Sequence, residues 1–204
     1  MRPEARPVRE RLMQAAVLTV LMLTSLGLYL TVLKWRGPAA ALKTQTPLDR
    51  LIPFWPGWVV VYLFPYLVGP ILAACLSRAT FRWFIPRAIL VVLISLATFL
   101  ILPTQTVRPP TDGLGEGWVA DAYHSMVGID EPPANAAPSL HVSLTCLLAC
   151  AVMRDFPRWW LAVVGGTGVV WLATLVTHQH HVIDVASGAL LAVVVALVKK
   201  PLAA

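Results

Sequence analysis

Six apolar runs dominate this chain and leave little room for any other kind of fold. A helix needs about 20 predominantly apolar residues to cross the hydrocarbon core of a bilayer. Of the 204 residues, 58% are hydrophobic and only 13% are charged. We therefore predict an all-α, six-transmembrane-helix bundle that forms a single membrane domain over residues 1–204. The expected spans are about 12–33, 57–76, 84–102, 139–153, 159–177 and 182–198.

The Lys and Arg residues flank these runs and predict the orientation of the bundle. If both termini face the cytoplasm, eleven of them lie on the inside and five on the outside, which fits the positive-inside bias. We expect a multi-pass protein of the cell inner (plasma) membrane with both termini cytoplasmic. The net charge of +6 does not form a stripe on a soluble face, so no nucleic-acid partner is expected. The inside set is Arg2, Arg6, Arg9, Arg11, Arg78, Arg82, Arg87, Arg154, Arg158, Lys199 and Lys200, and the outside set is Lys34, Arg36, Lys43, Arg50 and Arg108.

This orientation places every histidine of the chain on the extracytoplasmic side. Ionisable groups are costly at a membrane boundary unless they have partners or a function there. The same side receives residues 103–137, a Pro- and Gly-rich stretch that we predict to be a long functional loop whose Trp118, Tyr123 and Met126 could rest on the membrane interface. The histidines are His124, His141, His178, His180 and His181.

The string from His180 to Asp184 is the first of three that carry candidate chemistry. Residues four apart lie on one face of a helix, so the carboxylate could hold one imidazole nitrogen and stabilise the imidazolium. The other nitrogen would be free to attack a substrate or to accept a proton.

The string Pro138-Ser139-Leu140-His141 opens the fourth predicted span. Ser139 suits a helix N-cap, and the free N–H groups at a helix N-terminus form an anion site. His141 could protonate a leaving oxygen from this position.

Arg108, in the string Thr104 to Pro110, directly follows the third predicted span. A guanidinium binds phosphate oxygens with paired N–H donors. With the other two strings it suggests a phosphate site at the outer membrane edge.

The order Arg-Pro, Pro-Ser-x-His and His-x-x-x-Asp, over roughly residues 101–188, resembles the type-2 phosphatidic acid phosphatase superfamily of membrane enzymes. The resemblance implies that His180 is a nucleophile forming a phosphohistidine and that Asp184 orients it. It further implies that His141 is the general acid, and that Arg108, Ser139 and Leu140 bind the phosphate of a membrane lipid substrate.

The chain departs from the family pattern at the cationic phosphate ligands. Ile101 stands where the family has Lys, and Ala173 and Thr174 stand where it has Ser-Arg. We expect nearby groups to compensate, with Gln105, His178 and His181 as auxiliary candidates. Pro-Ser-Leu-His and His-His-x-x-x-Asp resemble the inositol phosphorylceramide and sphingomyelin synthase-like branch, which transfers a phospho-headgroup to a lipid alcohol. Because a phosphodiester carries less charge, transfer is a close rival to hydrolysis.

Two other classes remain open from the sequence. The residues His178, His180, His181 and Asp184 offer nitrogen and oxygen ligands for zinc, although no His-Glu-x-x-His string is present. A non-catalytic lipid carrier or assembly partner is the other alternative. We expect no cofactor and no metal, and the sequence leaves the lipid and the oligomeric state open.

Overall fold

Helices make up most of the structure, a computed structural model that describes residues 7–36 and 41–198. Two short parallel strands, β1 (Leu42–Lys43) and β2 (Thr104–Gln105), join the segments that follow the first and third long helices. Apart from these two-residue strands, the regular elements of the described residues are helices, so the prediction of an all-α protein is confirmed. Four cations used in the orientation argument, Arg2, Arg6, Lys199 and Lys200, lie outside the described residues. The helices are α1 (Val8–Arg36), α2 (Val59–Cys75), α3 (Arg78–Ile101), α4 (Trp118–Ile129), α5 (Leu140–Asp155), α6 (Trp160–Val176) and α7 (Val182–Leu197).

Each of the six predicted spans is helical, but the helices differ in length. Within residues 7–36 and 41–198, four helical stretches are long and apolar enough to cross a membrane. Helices α5 and α7 have 16 residues each, which is about 24 Å and shorter than a typical hydrocarbon core of about 30 Å. The chain is thus a membrane protein with four candidate spanning helices, and a count of six stays a prediction. The four stretches are Val8–Arg36, Pro56–Cys75, Arg78–Ile101 and Pro157–Val176.

Residues 103–137 are not the structureless loop that the sequence predicted, because they contain α4. Tyr123 is fully buried and its ring packs edge-on against Phe54, with 5.3 Å between ring centroids. Met126 is also buried, whereas Trp118 is 68% exposed. The expectation that Tyr123 and Met126 rest on the membrane interface is wrong: α4 folds back against α2 and the 3-10 turn Pro56–Trp58, and buries both side chains there.

Helix α5 lies at the centre of the bundle and packs against α2, α3, α6 and α7. Its buried Leu147 and Ala151 join the main hydrophobic core with Phe84 and Val91 of α3 and Ala192 of α7. At the ends of the bundle, the removal of apolar side chains from water is the main favourable contribution to packing. In the apolar interior, close packing between the helices stabilises the bundle. The position of α5 therefore fixes the side chains of its first turn.

Helices α5 and α7 approach most closely at Gly188. A Cβ atom on Gly188 would lie 2.6 Å from the carbonyl oxygen of Ser139. The Ser143 hydroxyl lies within hydrogen-bond distance of both the Ser139 and the Gly188 carbonyl oxygens, at 2.7 and 2.9 Å, and its one hydrogen is shared between them. Only glycine permits this approach, which brings the start of α5 against the first turns of α7.

We predict that Gly188→Ala destabilises the protein by about 1–3 kcal/mol, because the added methyl group must displace backbone rather than a flexible side chain. The matched control is Gly165→Ala in α6, where an added Cβ meets nothing within 4 Å. Thermal unfolding of both purified variants in detergent measures the difference. Equal midpoints for the two variants would contradict the predicted close packing.

Candidate active site

The turn between α6 and α7 positions two of the candidate residues. His178 has a positive φ of 52°, and its N–H donates to Leu175 O at 2.9 Å while Gln179 N donates to Thr174 O at 3.1 Å. These two bonds form the Schellman motif that ends many helices, with His178 in the left-handed position. His180 N also donates to Thr174 O, at 3.1 Å. The end of α6 therefore fixes the backbone of Gln179 and His180.

Two carboxylates satisfy the first backbone N–H groups of α7. Asp184 Oδ2 accepts from His181 N at 2.7 Å, and Asp49 Oδ1 accepts from Val182 N at 2.7 Å. Asp184 is completely buried. Carboxylates are favourable at a helix N-terminus because both the free donors and the helix dipole attract them.

Asp184 does not hydrogen-bond to His180 in this structure. The shortest distance between them, from His180 Nδ1 to Asp184 Oδ2, is 3.8 Å, and Nδ1 is buried without a partner. The four-residue spacing does not act as the sequence argument assumed, since α7 begins at Val182 and His180 lies before it. A shift of less than 1 Å would be needed for a hydrogen bond.

His181 and His178 contact the segments that follow α1 and α3 instead of the candidate pocket. His181 Nδ1 lies 2.8 Å from the Thr44 hydroxyl, and Val107 N donates to its Nε2 at 3.4 Å. Burial lowers the pKa of His181, although the Asp184 and Asp49 carboxylates oppose the shift. His178 Nε2 lies 3.3 Å from Ile52 O. These contacts give both side chains a structural role.

Ser139 begins α5 as the sequence predicted. Its hydroxyl accepts from Val142 N at 3.2 Å, which is the N-cap interaction. The residue is completely buried, and its N–H donates to Asp184 O at 3.1 Å. Ser139 thus joins the starts of α5 and α7, while its side chain is engaged in the cap.

His141 projects from the first turn of α5 into a cluster of aromatic rings. Its imidazole stacks on the Tyr62 ring, with centroids 4.4 Å apart and planes 9° from parallel. The Tyr66 ring lies 5.5 Å away at a tilt. His141 Nε2 is buried without a partner. The stack holds the ring in one orientation and leaves that nitrogen available to a ligand.

His141 and His180 line the same cavity, whose volume is about 490 Å³. Along α1 its lining runs from Leu18 to Leu30, a distance of about 18 Å at 1.5 Å per residue. The walls are mostly apolar side chains of α1, α2, α4 and α5. The polar lining at the histidine end includes Asp130, Asn135 and Gln179. Such a shape suits an apolar chain with a polar head.

Arg108 lies just behind this polar end and is not itself part of the lining. Its guanidinium is 7% exposed and pairs with the Asp130 carboxylate. It donates to Asp130 O at 3.2 Å and to Gln179 Oε1 at 2.8 Å. The Tyr29 hydroxyl donates to the same carboxylate. Burial raises the pKa of Asp130, while Arg108 acts to lower it.

The remaining two predicted residues lie on either side of this arrangement. Leu140 lines the cavity with its side chain. Gln105 belongs to β2, where its carbonyl accepts from Thr44 N at 3.1 Å, and it is not among the lining residues. Gln105 therefore holds the segment after α1 that carries Thr44.

Sequence reasoning missed several polar side chains of the cavity, among them Tyr29, Tyr62, Asp130 and Gln179. Tyrosines within apolar runs were a usable signal, because a phenol in a membrane span needs a partner. Gln179 stands directly before His180 and could have been flagged by position alone. Nothing local marks Asp130, since its partner Arg108 is 22 residues away.

Comparison with known proteins adds a family to this geometry. A model of the PAP2 superfamily matches residues 30–198, which include every candidate site residue that the sequence predicted. The chain belongs to the PAP2 superfamily. No curated protein and no solved structure matches it. Membership indicates a lipid enzyme of the phosphatase or phosphotransferase type.

We predict that Asp49 makes stability depend on pH below about 4. Although burial raises the pKa of Asp49, hydrogen bonds from Thr46 and Val182 outweigh it and lower the pKa from its ordinary value of 3.8. A carboxylate whose pKa is lower in the folded than in the unfolded state stabilises the folded protein when the pH is above its unfolded pKa. This stabilisation is lost as the pH falls through the folded pKa. Thermal midpoints of wild type and Asp49→Asn, measured from pH 6 to pH 3, should converge as the pH falls. A difference between the two midpoints that stays the same at every pH would show that Asp49 does not cause the pH dependence.

Proposed function

We propose that this PAP2 superfamily member is a membrane enzyme that cleaves a lipid phosphate ester or diphosphate through a phosphohistidine on His180. One observation carries the proposal: two partly buried imidazoles, His141 and His180, line one cavity whose other walls are mostly apolar, and each has one buried nitrogen without a partner among the described residues. An apolar chain in the cavity would bring its phosphate to the histidine end. The cavity geometry favours a lipid over a soluble phosphate ester.

The proposed reaction has two steps. His180 Nε2 attacks phosphorus, the bond from phosphorus to the lipid oxygen breaks, and His141 donates a proton to that oxygen. A bound phosphate anion favours the imidazolium form of His141 that this step requires. In the second step His141 takes a proton from water, whose oxygen attacks phosphorus and releases His180. Asp184, 3.8 Å from His180 Nδ1, stabilises the positive charge on the His180 ring.

Phosphate binding is assigned to groups at the histidine end of the cavity. Arg108, behind the lining, supplies the charge, and the first turn of α5, which is capped by Ser139 and begins at Leu140, supplies backbone donors. Both termini are proposed to face the cytoplasm, with six helices crossing the inner membrane and the site at the extracytoplasmic edge. The concentration of Lys and Arg on the opposite side supports this orientation.

Transfer of a phospho-headgroup to a lipid alcohol is a second candidate, and the pairing of Arg108 with Asp130 favours it. Because that carboxylate offsets the guanidinium charge, the site attracts a phosphate dianion less than a free cation would. A phosphodiester carries a single negative charge. In the transfer reaction a lipid alcohol replaces water as the second attacking group, and the same two histidines take part.

We predict that His180→Ala abolishes turnover, with a loss of at least about 1,000-fold in kcat, because the covalent intermediate cannot form. The assay incubates purified protein with phosphatidic acid, a polyprenyl diphosphate and a phosphatidyl headgroup lipid, each with and without an acceptor alcohol. Mass spectrometry identifies the products and separates hydrolysis from transfer.

The matched control is His124→Ala, an exposed histidine of α4 that is absent from the cavity lining. It should turn over lipid at the wild-type rate. Full activity in His180→Ala would refute the phosphohistidine, and lipid binding or transport without any product would favour the carrier alternative.

Changing the charge beside Arg108 should change the preferred phosphate. We predict that Asp130→Asn raises the ratio of kcat/KM for monoester over diester lipids by about tenfold, because it leaves the guanidinium charge uncompensated. The measurement compares phosphatidic acid with a phosphodiester lipid of the same acyl chains. An unchanged ratio would mean that Asp130 does not set the charge preference.

A further inference from the structure

The Gln179 side chain has one half of its amide fixed and the other half free. Its Oε1 accepts from Arg108 at 2.8 Å, which identifies the oxygen and therefore the direction of the NH₂ group. Its backbone is held as well: Gln179 N donates to Thr174 O at 3.1 Å, and Gln179 O accepts from the Thr106 hydroxyl at 3.4 Å. This residue has little freedom to rearrange.

The Gln179 NH₂ group is buried and makes no hydrogen bond of ordinary geometry to the described residues. The residue is only 3% exposed, and it lines the cavity together with His180. The neighbouring Tyr123 hydroxyl donates its own hydrogen to Thr177 O at 2.9 Å. Burial raises the pKa of Tyr123, and Gln179 acts to lower it, so the Tyr123 oxygen lies near the amide without forming a well-aligned bond to it. Buried amide N–H groups almost always have a partner in folded proteins. A fixed donor without one, beside the candidate nucleophile, indicates a ligand that the protein is built to receive.

The cationic ligands that the family pattern would supply are absent near this donor. Thr174, at the position of the family arginine, is fully buried, and its hydroxyl donates to Trp171 O at 2.7 Å. Ile101, at the position of the family lysine, is 81% exposed and apolar. Arg108 shares its charge with Asp130. The phosphate oxygens therefore need another donor at the histidine end of the cavity.

We propose that Gln179 is a phosphate-binding residue whose Nε2 donates to a non-bridging oxygen of the phosphoryl group, in place of a cationic side chain. The proposal rests on the proposed function. Arg108 has two roles in it: it holds the amide oxygen, and it polarises the amide so that the N–H becomes a stronger donor. A neutral, fixed donor stabilises the oxygen charge that grows in the transition state without requiring reorganisation.

Two variants of Gln179 separate the donor from its other contacts. Gln179→Glu keeps an oxygen for Arg108 and removes the N–H donor, but adds a negative charge. Gln179→Met removes the donor without adding charge, but loses the contact with Arg108. Loss of the donor is the one change that both share. Gln45→Ala, at an exposed position of the segment after α1, is the control for a glutamine substitution.

The first measurement uses orthovanadate, a phosphate analogue, as the probe and the full chain in detergent. Its affinity is taken from the rise of the thermal midpoint with vanadate concentration. We expect Gln45→Ala to match wild type and both Gln179 variants to bind at least about tenfold more weakly. Wild-type affinity in either Gln179 variant, or no vanadate binding by the wild type, would overturn the proposal.

The second measurement is turnover of the lipid that the wild type prefers. Removal of one oxyanion donor typically lowers kcat by about 100-fold or more, and we expect a loss of that size in both variants. If Gln179→Glu keeps its activity while Gln179→Met loses it, Gln179 acts only by holding Arg108 and the proposal is wrong. A third outcome separates the two proposals: vanadate binding depends on Gln179, but the protein turns over no lipid phosphate. That result would contradict the proposed function and still support Gln179 as an anion-binding residue.

Discussion

The hydrocarbon core of a membrane allows no unpaired backbone N–H or C=O group, so segments that are neither helical nor paired collect where the helices end. In this protein, the segments at the helix ends form the candidate site. Trp55 N bonds to Val176 O at 2.7 Å, Leu42 N to Pro103 O at 2.9 Å and Ser139 N to Asp184 O at 3.1 Å. These bonds join segments that are far apart in the sequence, and two candidate residues, Ser139 and Asp184, form one of them directly.

Buried charges at this end are compensated in two ways. Asp49 and Asp184 bind backbone N–H groups at the start of α7, which fixes the helix that follows His180. Asp130 binds Arg108, and this pair in turn orients the Gln179 amide. Compensation of both kinds is required because an isolated buried charge is very costly. The same requirement makes the site rigid before any substrate arrives, which is what electrostatic catalysis needs.

The cavity connects this rigid end with the apolar interior. Its lining descends along α1 to Leu18 and reaches Phe84 of α3, so an apolar chain can occupy it while the phosphate stays at the histidines. His141, stacked on Tyr62, stands at the boundary between the two environments. Membership of the PAP2 superfamily indicates a lipid enzyme of the phosphatase or phosphotransferase type, and a cavity divided in this way has room for an apolar chain with a polar head.

The sequence alone determined the helical fold, because long apolar runs have no other stable form in a membrane, and it marked Ser139, His141 and His180 by their places at helix ends. It did not reveal α4, whose twelve residues are flanked by turn-forming residues and bury Ala120, Tyr123 and Met126 against other parts of the fold. The sequence offered His178 and His181 as auxiliary candidates beside His180, and the structure places both against the segments that follow α1 and α3. Asp130 and Gln179 were decided by tertiary structure, since their contacts to Arg108 span 22 and 71 residues. Local patterns report periodicity and caps, whereas such pairings exist only after distant segments have met.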